Sequence, residues 1–502
     1  MNKTAVFIDI MSIQKYIFSS NQLKDNIGAS HIVESIFDEL KEKFQCSYAG
    51  GGSALIYFNT ITEAKNAMKE WSSNLLQTAP GIVPFITIEE NFDTSTYAES
   101  RKKIIKKSIK QKNEFIPITA LSAFGITADC PKTGLSSEVF CEKCADQDIS
   151  YLSSVSYTKI LKAEEANNKI INYFKDILNN DDNGLDKYEF PDKFDEMGGT
   201  KGENNHIAVV HIDGNDMGLL FKKQATEEEM KKLSAGLTDS VKSSFKQVLQ
   251  KLIPLIDKLK RNGEITLKEK PANNGKLILL PVRPIVLGGD DVTFVCDARI
   301  GLWCAMEFIK AFELQDICKE NKITACGGVS IVKTNYPFYR AYKMAEDLCN
   351  TAKKKAKKKR RNERNEIDNS AADSYIDFHI SFGGMSDSID RIRIKNYKSA
   401  DNKLLYKRPY KIKEIPKLLN CIKKLKEKLP QSKIKKFREI LYSGEIAAKE
   451  FINELNYRGN TLPAFSHSDE AKKGFSDDKS PYIDIIELMD FYPLSLILKE
   501  DL

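Results

Sequence analysis

Apolar strands and amphipathic helical segments alternate along the chain, and the same order occurs twice. The segments "AVFIDIMSIQKYIF", near the N-terminus, and "AVVHIDGNDMGLLF", near residue 208, each read as an apolar strand that ends in Ile-Asp, at Asp9 and Asp213. Each strand is followed further on by a glycine-rich hairpin, "YAGGGSALIYF" at 48–58 and "VLGGDDVTFVC" at 286–296. The second half of the pattern also recurs, because each hairpin is followed by a helix-like segment and another strand.

The helix-like segments are "TEAKNAMKEWSSNLL" and "ARIGLWCAMEFIKAFE", and both have apolar residues at three- and four-residue spacing. The strands that follow them are "GIVPFITIEE" and "ITACGGVSIV". The order β–α–β–β–α–β predicts a ferredoxin-like unit, the fold of polymerase and cyclase palms. Chance similarity between ordinary α/β segments is the alternative, but four elements in the same order, with the Gly-Gly turn retained, argue against it.

We therefore predict an α+β protein with two ferredoxin-like palms and two further domains. The expected domains are a first palm at 1–110, a helical linker domain at 111–200, a second palm at 201–370 and a mostly helical C-terminal domain at 371–502. A length of 502 residues fits three or four domains at roughly 150 residues each.

The two copies differ where chemistry is expected. Gly52 and Ser53 occupy the places of Asp290 and Asp291, so the first copy keeps only Asp9. One copy therefore has the carboxylates of a catalytic palm, and the other has kept mainly the fold. We expect Asp290 and Asp291 to be the catalytic residues.

A metal site explains why two carboxylates stand side by side next to an apolar strand. Asp213 ends a neighbouring strand, so Asp213, Asp290 and Asp291 together offer the oxygen ligands that Mg²⁺ or Mn²⁺ prefers. Two such ions would activate a 3′-hydroxyl and neutralise a leaving pyrophosphate. Asp216 is a weaker candidate ligand. Solvent exposure of Asp290 and Asp291 at a hairpin tip is the alternative reading.

Phosphate binding is expected on the helix that follows the acidic copy. Eight of the nine residues at 353–361 are Lys or Arg, and Lys353 and Lys357 lie four residues apart on one helix face. We assign these two lysines to the nucleotide site, together with Gly288 and Gly289 of the neighbouring turn. A solvated helix end is the ordinary alternative.

The glycine-rich turn of the first copy is expected to face the second copy. Backbone N–H groups at Gly51 and Gly52 can approach a second, acceptor nucleotide. The two copies would then pack face to face within one chain, and the proximity of two bound nucleotides would supply much of the rate.

Composition constrains the partners and the compartment. The net charge of +7 permits anionic ligands such as nucleotides or RNA without requiring them. No apolar run approaches the roughly 20 residues of a membrane helix. The N-terminus does not read as a secretory signal, and the ten cysteines are mostly isolated, which favours the cytoplasm. Outside 353–361 we expect no extended basic surface, apart from a few charges on the "KIKKFR" and "KKLKEK" helices, and hence weak RNA binding.

A cysteine cluster in the linker domain predicts a structural zinc site. Cys141 and Cys144 form a C-x-x-C pair, and Cys130 precedes them in "CPKT". A fourth ligand would have to come from elsewhere, such as Asp129, a distant His or Cys, or water. A lapsed site with three free thiols is the alternative.

Four segments resemble the large polymerase subunit of type III CRISPR effector complexes. "FIDIMSIQKYIFSSNQLKDNIGAS" is similar to the first palm of that family. "HIDGNDMGLLF", "LGGDDVTFV" and "GGVSIVKTNYPFYRAYKMAEDLCNTAKK" are similar to its second palm. The resemblance implies an antiviral enzyme that converts ATP into 3′–5′ cyclic oligoadenylates. It also implies that Asp213, Asp290 and Asp291 hold the metal, and that Lys353 corresponds to the phosphate-facing lysine of the related GGDEF cyclases.

Two departures leave alternatives open. Many members of the family begin with a histidine-aspartate nuclease domain, whereas this chain begins at the first palm and contains no His-Asp dipeptide. We therefore expect that it acts alone or with a different partner, and that it turns over NTP without guide RNA. The alternatives are a non-catalytic or RNA-activated scaffold subunit that binds RNA or other effector subunits, and a GGDEF-like cyclase that uses GTP.

Overall fold

A computed structural model of the chain describes most of its residues, and the fold is given for those alone. They are 2–115, 128–141, 151–178, 188–197, 205–272, 275–317, 323–359, 373–381, 383 and 387–496. Within them, no helix combines the length and the apolar character that crossing a membrane requires.

The first palm is a four-stranded antiparallel sheet with helices on both faces. The strand order is β2-β3-β1-β4, as in a ferredoxin-like fold. Trp71, Ile32 and Ile56 belong to the core on one face, and Phe7, Leu55 and Ile104 to the core on the other. Its elements are β1 (Asn2–Met11), α1 (Ile13–Phe18), α2 (Leu23–Lys43), β2 (Cys46–Gly50), β3 (Ser53–Phe58), α3 (Ile61–Thr78), β4 (Val83–Asp93) and α4 (Tyr97–Glu114).

A long helix joins the two palms. The elements of this part are β5 (Val139–Phe140), β6 (Tyr151–Leu152), α5 (Ser154–Leu178) and β7 (Tyr188–Glu189). Helix α5 packs closely on α2, because a Cβ on Gly28 would lie 1.8 Å from the Lys159 carbonyl oxygen. The buried Lys159 ammonium donates hydrogen bonds to the Tyr16 carbonyl at 2.6 Å and to Ser19 Oγ at 3.0 Å. These contacts fix α5 against the first palm.

The second palm repeats the first and extends its sheet. The elements are β8 (His206–Gly214), α6 (Met217–Lys223), α7 (Glu227–Arg261), β9 (Glu269–Ala272), β10 (Gly275–Leu279), β11 (Val282–Gly288), β12 (Asp291–Asp297), α8 (Gly301–Glu313), β13 (Ala325–Lys333), α9 (Phe338–Lys359), β14 (Tyr375–Ile380), α10 (Ile389–Asn396) and β15 (Tyr410–Lys411). The strand order β11-β12-β8-β13-β14-β15 contains the ferredoxin-like four and adds two strands at one edge. Strands β9 and β10 form a separate small sheet with β7. Strands β14 and β15 follow residue 370, where the sequence predicts the end of the second palm, and the domain boundaries stay predictions.

Five α-helices follow in the described part of the chain, and all of them except the short α14 contribute to the core of the second palm. They are α11 (Ile415–Lys428), α12 (Gln431–Tyr442), α13 (Glu445–Tyr457), α14 (Ser468–Lys473) and α15 (Tyr482–Met489). A buried charge network holds them to the sheet, since Arg408 contacts Asp484 at 3.2 Å and Glu487 at 2.8 Å. Because removing one partner of a buried pair leaves an unpaired charge, this network fixes how the helices dock.

The backbone confirms the predicted repeat at its two turns. The turn after the first strand contains a residue in the left-handed region in each copy, Ser12 with φ 54° and Asp216 with φ 56°. The hairpin glycines also match, with φ 59° at Gly51 and φ 62° at Gly289. The two palms therefore share local geometry as well as element order.

Candidate active site between the palms

The acidic residues of the second palm meet on two adjacent strands. Asp213 near the end of β8 lies directly opposite Asp291 at the start of β12 in the antiparallel register. The side chains of His211, Asp213 and Asp291 each offer a ligand atom, and these atoms all lie within 4.8 Å of one another. In the part of the chain that the structure describes, this is the one group of three that could hold a metal ion. Asp290 and Asp216 are not in the group.

A tight turn positions Asp290 next to this group. Gly288 pairs with Asp291 across the hairpin, so Gly289 and Asp290 form the turn itself. Gly289 adopts φ 62°, which favours glycine. The Gly214 N–H donates a hydrogen bond to the Asp290 carbonyl oxygen at 3.3 Å, which fastens the turn to β8. The two glycines before the carboxylates therefore shape the turn that brings Asp290 beside the neighbouring strand.

Burial and mutual repulsion disfavour ionisation of the two adjacent carboxylates. Burial, together with the charges of Asp291 and Asp213, raises the pKa of Asp290 to about 6. Burial and Asp213 raise the pKa of Asp291 to about 6 as well. An ordinary Asp has a pKa near 3.8. A bound divalent cation would remove this penalty, so the site is built for positive charge.

Lys353 is a cation supplied by the protein itself. It extends from α9, forms an ion pair with Asp213, and donates a hydrogen bond to the Gly214 carbonyl oxygen at 3.1 Å. Burial opposes the charge on Lys353, but Asp213 outweighs burial, and the pKa of Lys353 is raised. Lys357, one turn further along α9, is exposed. The helix predicted to bind phosphate thus reaches the acidic strands through Lys353.

His211 is part of the site, and we did not predict it from the sequence. It is 3% exposed, its Nδ1 lies 3.2 Å from Thr293 Oγ1, and its ring packs edge-on against Tyr342. Burial lowers the pKa of His211, which favours the neutral ring that a metal requires. His211 and Asp213 are two residues apart on one strand, so their side chains share a face of the sheet. This spacing is the feature of the sequence from which His211 could have been predicted.

The first palm contributes the opposite wall of the site. A Cβ on Gly289 would lie 3.5 Å from the Gly51 Cα, so the two glycine-rich turns touch, as predicted. The Gln14 side chain approaches the Asp291 carboxylate across the same boundary and lowers the pKa of that carboxyl group, against the larger rise caused by burial. The packing therefore couples the palms at the acidic site.

The first palm retains half of the acidic arrangement. Asp9 lies opposite Ser53 in the strand register, in the way that Asp213 lies opposite Asp291. Lys112 of α4 forms an ion pair with Asp9, as Lys353 of α9 does with Asp213. The copy without the paired carboxylates thus keeps an Asp–Lys pair in the equivalent place.

A cavity of about 1220 Å³ lies between the palms. Both glycine-rich turns line it, as do Asp9, Asp290, Asp291, Tyr339 and Lys343. Its volume exceeds the roughly 300–1,000 Å³ that is usual for a pocket holding one small ligand. The lining does not include Asp213, Lys353 or Lys357.

The remaining predicted ligands lie apart from this cluster. Asp216 is the residue before helix α6, in the turn that matches Ser12 of the first copy. Cys130 is buried, and burial raises the pKa of its thiol. Hydrogen bonds from Ser153, Thr133 and Lys132 outweigh burial and lower that pKa to about 6. Cys141 is disulfide-bonded, and Cys144 lies outside the described residues. Because zinc binds a thiolate and not a disulfide, the predicted zinc site would require Cys141 to be reduced, and it stays a prediction.

Comparison with known proteins agrees with the fold. The fold and the facing turns define a protein with two palm domains. Residues 206–365 match the family model described as "Cas10/Cmr2, second palm domain". The resemblance to the large subunit of type III CRISPR complexes is therefore confirmed for this part of the chain. Among curated proteins, no sequence gives a significant match.

Solved structures of Csm1 share the fold along nearly the whole chain. A Csm1–Csm4 cassette in complex with cA4 is 14% identical with a TM-score of 0.56, and the alignment covers 99% of this chain and 70% of that one. Csm1 in T. onnurineus gives the same identity, TM-score and coverage. The apo Csm1–Csm4 cassette is 13% identical with a TM-score of 0.54, again over 99% and 70%. At these identities the likeness establishes the fold alone.

Proposed function

We propose that this protein is a metal-dependent nucleotidyltransferase that joins ATP into a cyclic oligoadenylate, a second messenger of CRISPR-type antiviral defence. One observation carries the proposal. Asp290 and Asp291 face a cavity shared by both palms, at the point where Gly289 meets Gly51. A large cavity with carboxylates on one side and a second glycine-rich turn on the other suits two nucleotides brought together for reaction.

The residues present fit a divalent metal. The donor set of two carboxylates and a neutral imidazole is compact. The raised pKa values of Asp290 and Asp291 are those of carboxyl groups without enough positive charge nearby to stabilise their ionised form. Asp213, Asp291 and His211 would hold the ion, with Asp290 beside them. Bound there, Mg²⁺ or Mn²⁺ would lower the pKa of an attacking 3′-hydroxyl and neutralise the leaving pyrophosphate.

The chain's own groups would orient the nucleotides. Lys353 is partly buried and paired with Asp213, outside the lining of the cavity, and we assign it to a phosphate oxygen that would take the place of Asp213. Lys357 would be a further cation on the same helix. The glycine turns at Gly288 and Gly289 allow a close approach of the donor phosphates. Gly51 and Gly52 offer the same approach to the acceptor from the opposite wall.

Ligands of the structural relatives are consistent with this assignment. The Csm1–Csm4 cassette has been crystallised with AMPPNP, with pppApA and with cA3, in addition to cA4. We extend to this chain both the nucleotide substrate and a partner subunit of the Csm4 kind.

The test is product analysis with each NTP. Purified protein is incubated with ATP, GTP, CTP or UTP and Mn²⁺, and the products are identified by mass. We expect cyclic adenylates from ATP, no product from the Asp290→Asn, Asp291→Asn variant, and full activity from a control, Asp477→Asn with Asp478→Asn, an exposed pair of adjacent aspartates. Product from GTP alone would support the GGDEF-like reading. Product that forms only with guide and target RNA would support an activated subunit.

A further inference from the structure

A buried lysine of the linker helix is held by the first palm. Lys159 of α5 is 3% exposed, and in the part of the chain that the structure describes it forms no ion pair with a carboxylate. The charge of Asp25 acts on it from a greater distance, but Asp25 is paired with Lys132 at 3.0 Å. A buried lysine without a paired carboxylate is rare, because removing a cation from water is costly. Stability alone therefore does not explain why α5 carries a lysine here.

The Lys159 ammonium contacts one short segment of the first palm. It donates hydrogen bonds to the Tyr16 carbonyl oxygen at 2.6 Å and to Ser19 Oγ at 3.0 Å, and it lies 4.1 Å from the centroid of the Tyr16 ring. The Tyr16 carbonyl lies in the last turn of α1, where helix carbonyls lack partners within the helix and a nearby cation is favourable. We call residues 16–21 the anchor segment.

The anchor segment also holds helix α9 of the second palm. The Asn21 side-chain oxygen accepts a hydrogen bond from the N–H of Phe338, the first residue of α9, at 2.9 Å. One turn further along α9, the ring of Tyr342 stacks on Phe18, with ring centroids 3.8 Å apart and planes 23° apart. Both contacts lie in the first two turns of α9, so the position of the anchor segment determines where this helix begins and how it is oriented.

Both helices that meet at the anchor segment reach the acidic site. The Tyr342 ring packs edge-on against the buried His211, with ring centroids 5.6 Å apart, and Lys353 lies further along the same helix. Gln14 of α1 approaches the Asp291 carboxylate from the side of the first palm. Lys159 is thus connected to the site along two routes, through α1 and through α9.

We propose that Lys159 is a positioning residue for the reaction and acts from the linker domain, through the anchor segment, on both walls of the site. Its effect on turnover rests on the proposed function, whereas its contacts do not. Lys159 does not belong to the lining of the cavity, so it acts at a distance from the nucleotides. A shift of about 1 Å in groups that hold the reactants can lower the rate about 100-fold, so holding the anchor segment in place is enough to affect the reaction.

Hydrogen–deuterium exchange of the full chain, without nucleotide or metal, tests the contacts themselves. Lys159→Met keeps most of the apolar stem and removes the ammonium, while the Tyr16 carbonyl oxygen keeps a hydrogen bond from Ser19 Oγ at 3.2 Å. The variant should exchange about 10-fold faster than the wild type in residues 13–21 and in the first turns of α9, at 338–345. Helix α8 of the same palm should exchange as in the wild type.

Steady-state kinetics and a double-mutant cycle test the effect on the reaction. Lys159→Met should lower kcat for ATP by about 10-fold or more and change KM less, because the catalytic groups are misplaced and not removed. Gln14→Ala acts through the same helix α1, so the two substitutions together should lower kcat by clearly less than the product of their single effects. The control, Lys175→Met, replaces an exposed lysine on α5 and should match the wild type in exchange and in kinetics.

Three results would overturn the proposal. The first is unchanged exchange at 338–345 in Lys159→Met, and the second is a kcat equal to that of the wild type. The third is a fall in kcat that is additive with that of Gln14→Ala and is accompanied by faster exchange throughout the protein, which would indicate a general loss of stability. A wild type that turns over no NTP contradicts the proposed function instead, and the exchange measurement then decides by itself whether Lys159 holds the anchor segment and α9.

Discussion

Replacing both Asp290 and Asp291 with asparagine is expected to stabilise the metal-free protein near neutral pH while it removes the activity. Asparagine keeps the shape of aspartate but carries no charge. The substitution therefore removes two partly buried carboxylates whose ionisation the fold resists. An increase in stability accompanied by a loss of function is the mark of a site built for a ligand.

The magnitude follows from the pKa values. A rise from 3.8 to about 6 corresponds to about 3 kcal/mol for each carboxyl group. The repulsion between the two groups is a single energy that both share, so the pair costs less than twice that value. We expect the variant to be more stable by about 3 kcal/mol at pH 8. If the second palm unfolds as one unit, this equals about 6–12 °C in the melting temperature.

The sign of the pH dependence is fixed by the direction of the shifts. A carboxyl group whose pKa is raised in the folded state binds its proton more tightly there than in the unfolded chain. The penalty is therefore absent below about pH 3.8, grows between pH 3.8 and 6, and is complete above pH 6. The advantage of the variant should follow the same course.

The assay is thermal unfolding in EDTA, followed by circular dichroism, at pH 4 and at pH 8. The variant should have a higher melting temperature than the wild type at pH 8 and the same melting temperature at pH 4. The Asp477→Asn, Asp478→Asn control should show no gain that grows between pH 4 and pH 8, because these carboxylates are exposed and Asp478 is paired with Lys403 at 3.1 Å. A variant that is equal to or less stable than the wild type at pH 8 would refute the reasoning, because the acidic pair would then be either solvated or structurally required.

Three further predictions concern the same site. Lys353→Gln should lower ATP turnover by about 100-fold or more, because it removes the cation assigned to the reacting phosphates. Lys357→Gln, one turn away and exposed, should change turnover far less. Steady-state kinetics measure both variants, and equal effects would contradict the assignment. Gln14→Ala removes a polar side chain that lowers the pKa of Asp291, so the acid limb of the pH–rate profile should move to higher pH. An unchanged limb would show that the palms are not coupled there. Adding Mg²⁺ or Mn²⁺ after EDTA dialysis should raise the melting temperature strongly at pH 8 and much less at pH 5. At pH 5 the carboxyl groups with a pKa of about 6 are protonated and cannot bind the ion well. A gain that does not depend on pH would place the ion elsewhere.

The repeat could be predicted because its signals are local. Strand, glycine turn and helix recur in both copies at readable spacing, and Asp213, Asp290 and Asp291 follow from that alignment. The register of Asp213 opposite Asp291 needed only the assumption that the central strands are neighbours. The contact between Gly51 and Gly289 followed from treating the copies as facing halves.

What the sequence did not predict depends on packing between distant segments. His211 looks like any residue of a buried strand until α9 places Tyr342 against it. Gln14 acts on a carboxylate 277 residues later, and only the docking of the palms brings them together. Strands β14 and β15 lie in the domain predicted to be mostly helical, at 371–502, but they extend the sheet of the second palm, because β14 pairs with β13 and β15 pairs with β14.

The location of a bound metal and nucleotide tests the central claim most directly. Crystals grown with Mn²⁺ and a non-hydrolysable ATP analogue would give an anomalous signal for the ion. The account predicts a peak within about 2.5 Å of the carboxylate oxygens of Asp213 and Asp291, with the triphosphate in the cavity between the glycine-rich turns. An ion and nucleotide bound away from these carboxylates, with the cavity between the palms lacking nucleotide, would contradict it.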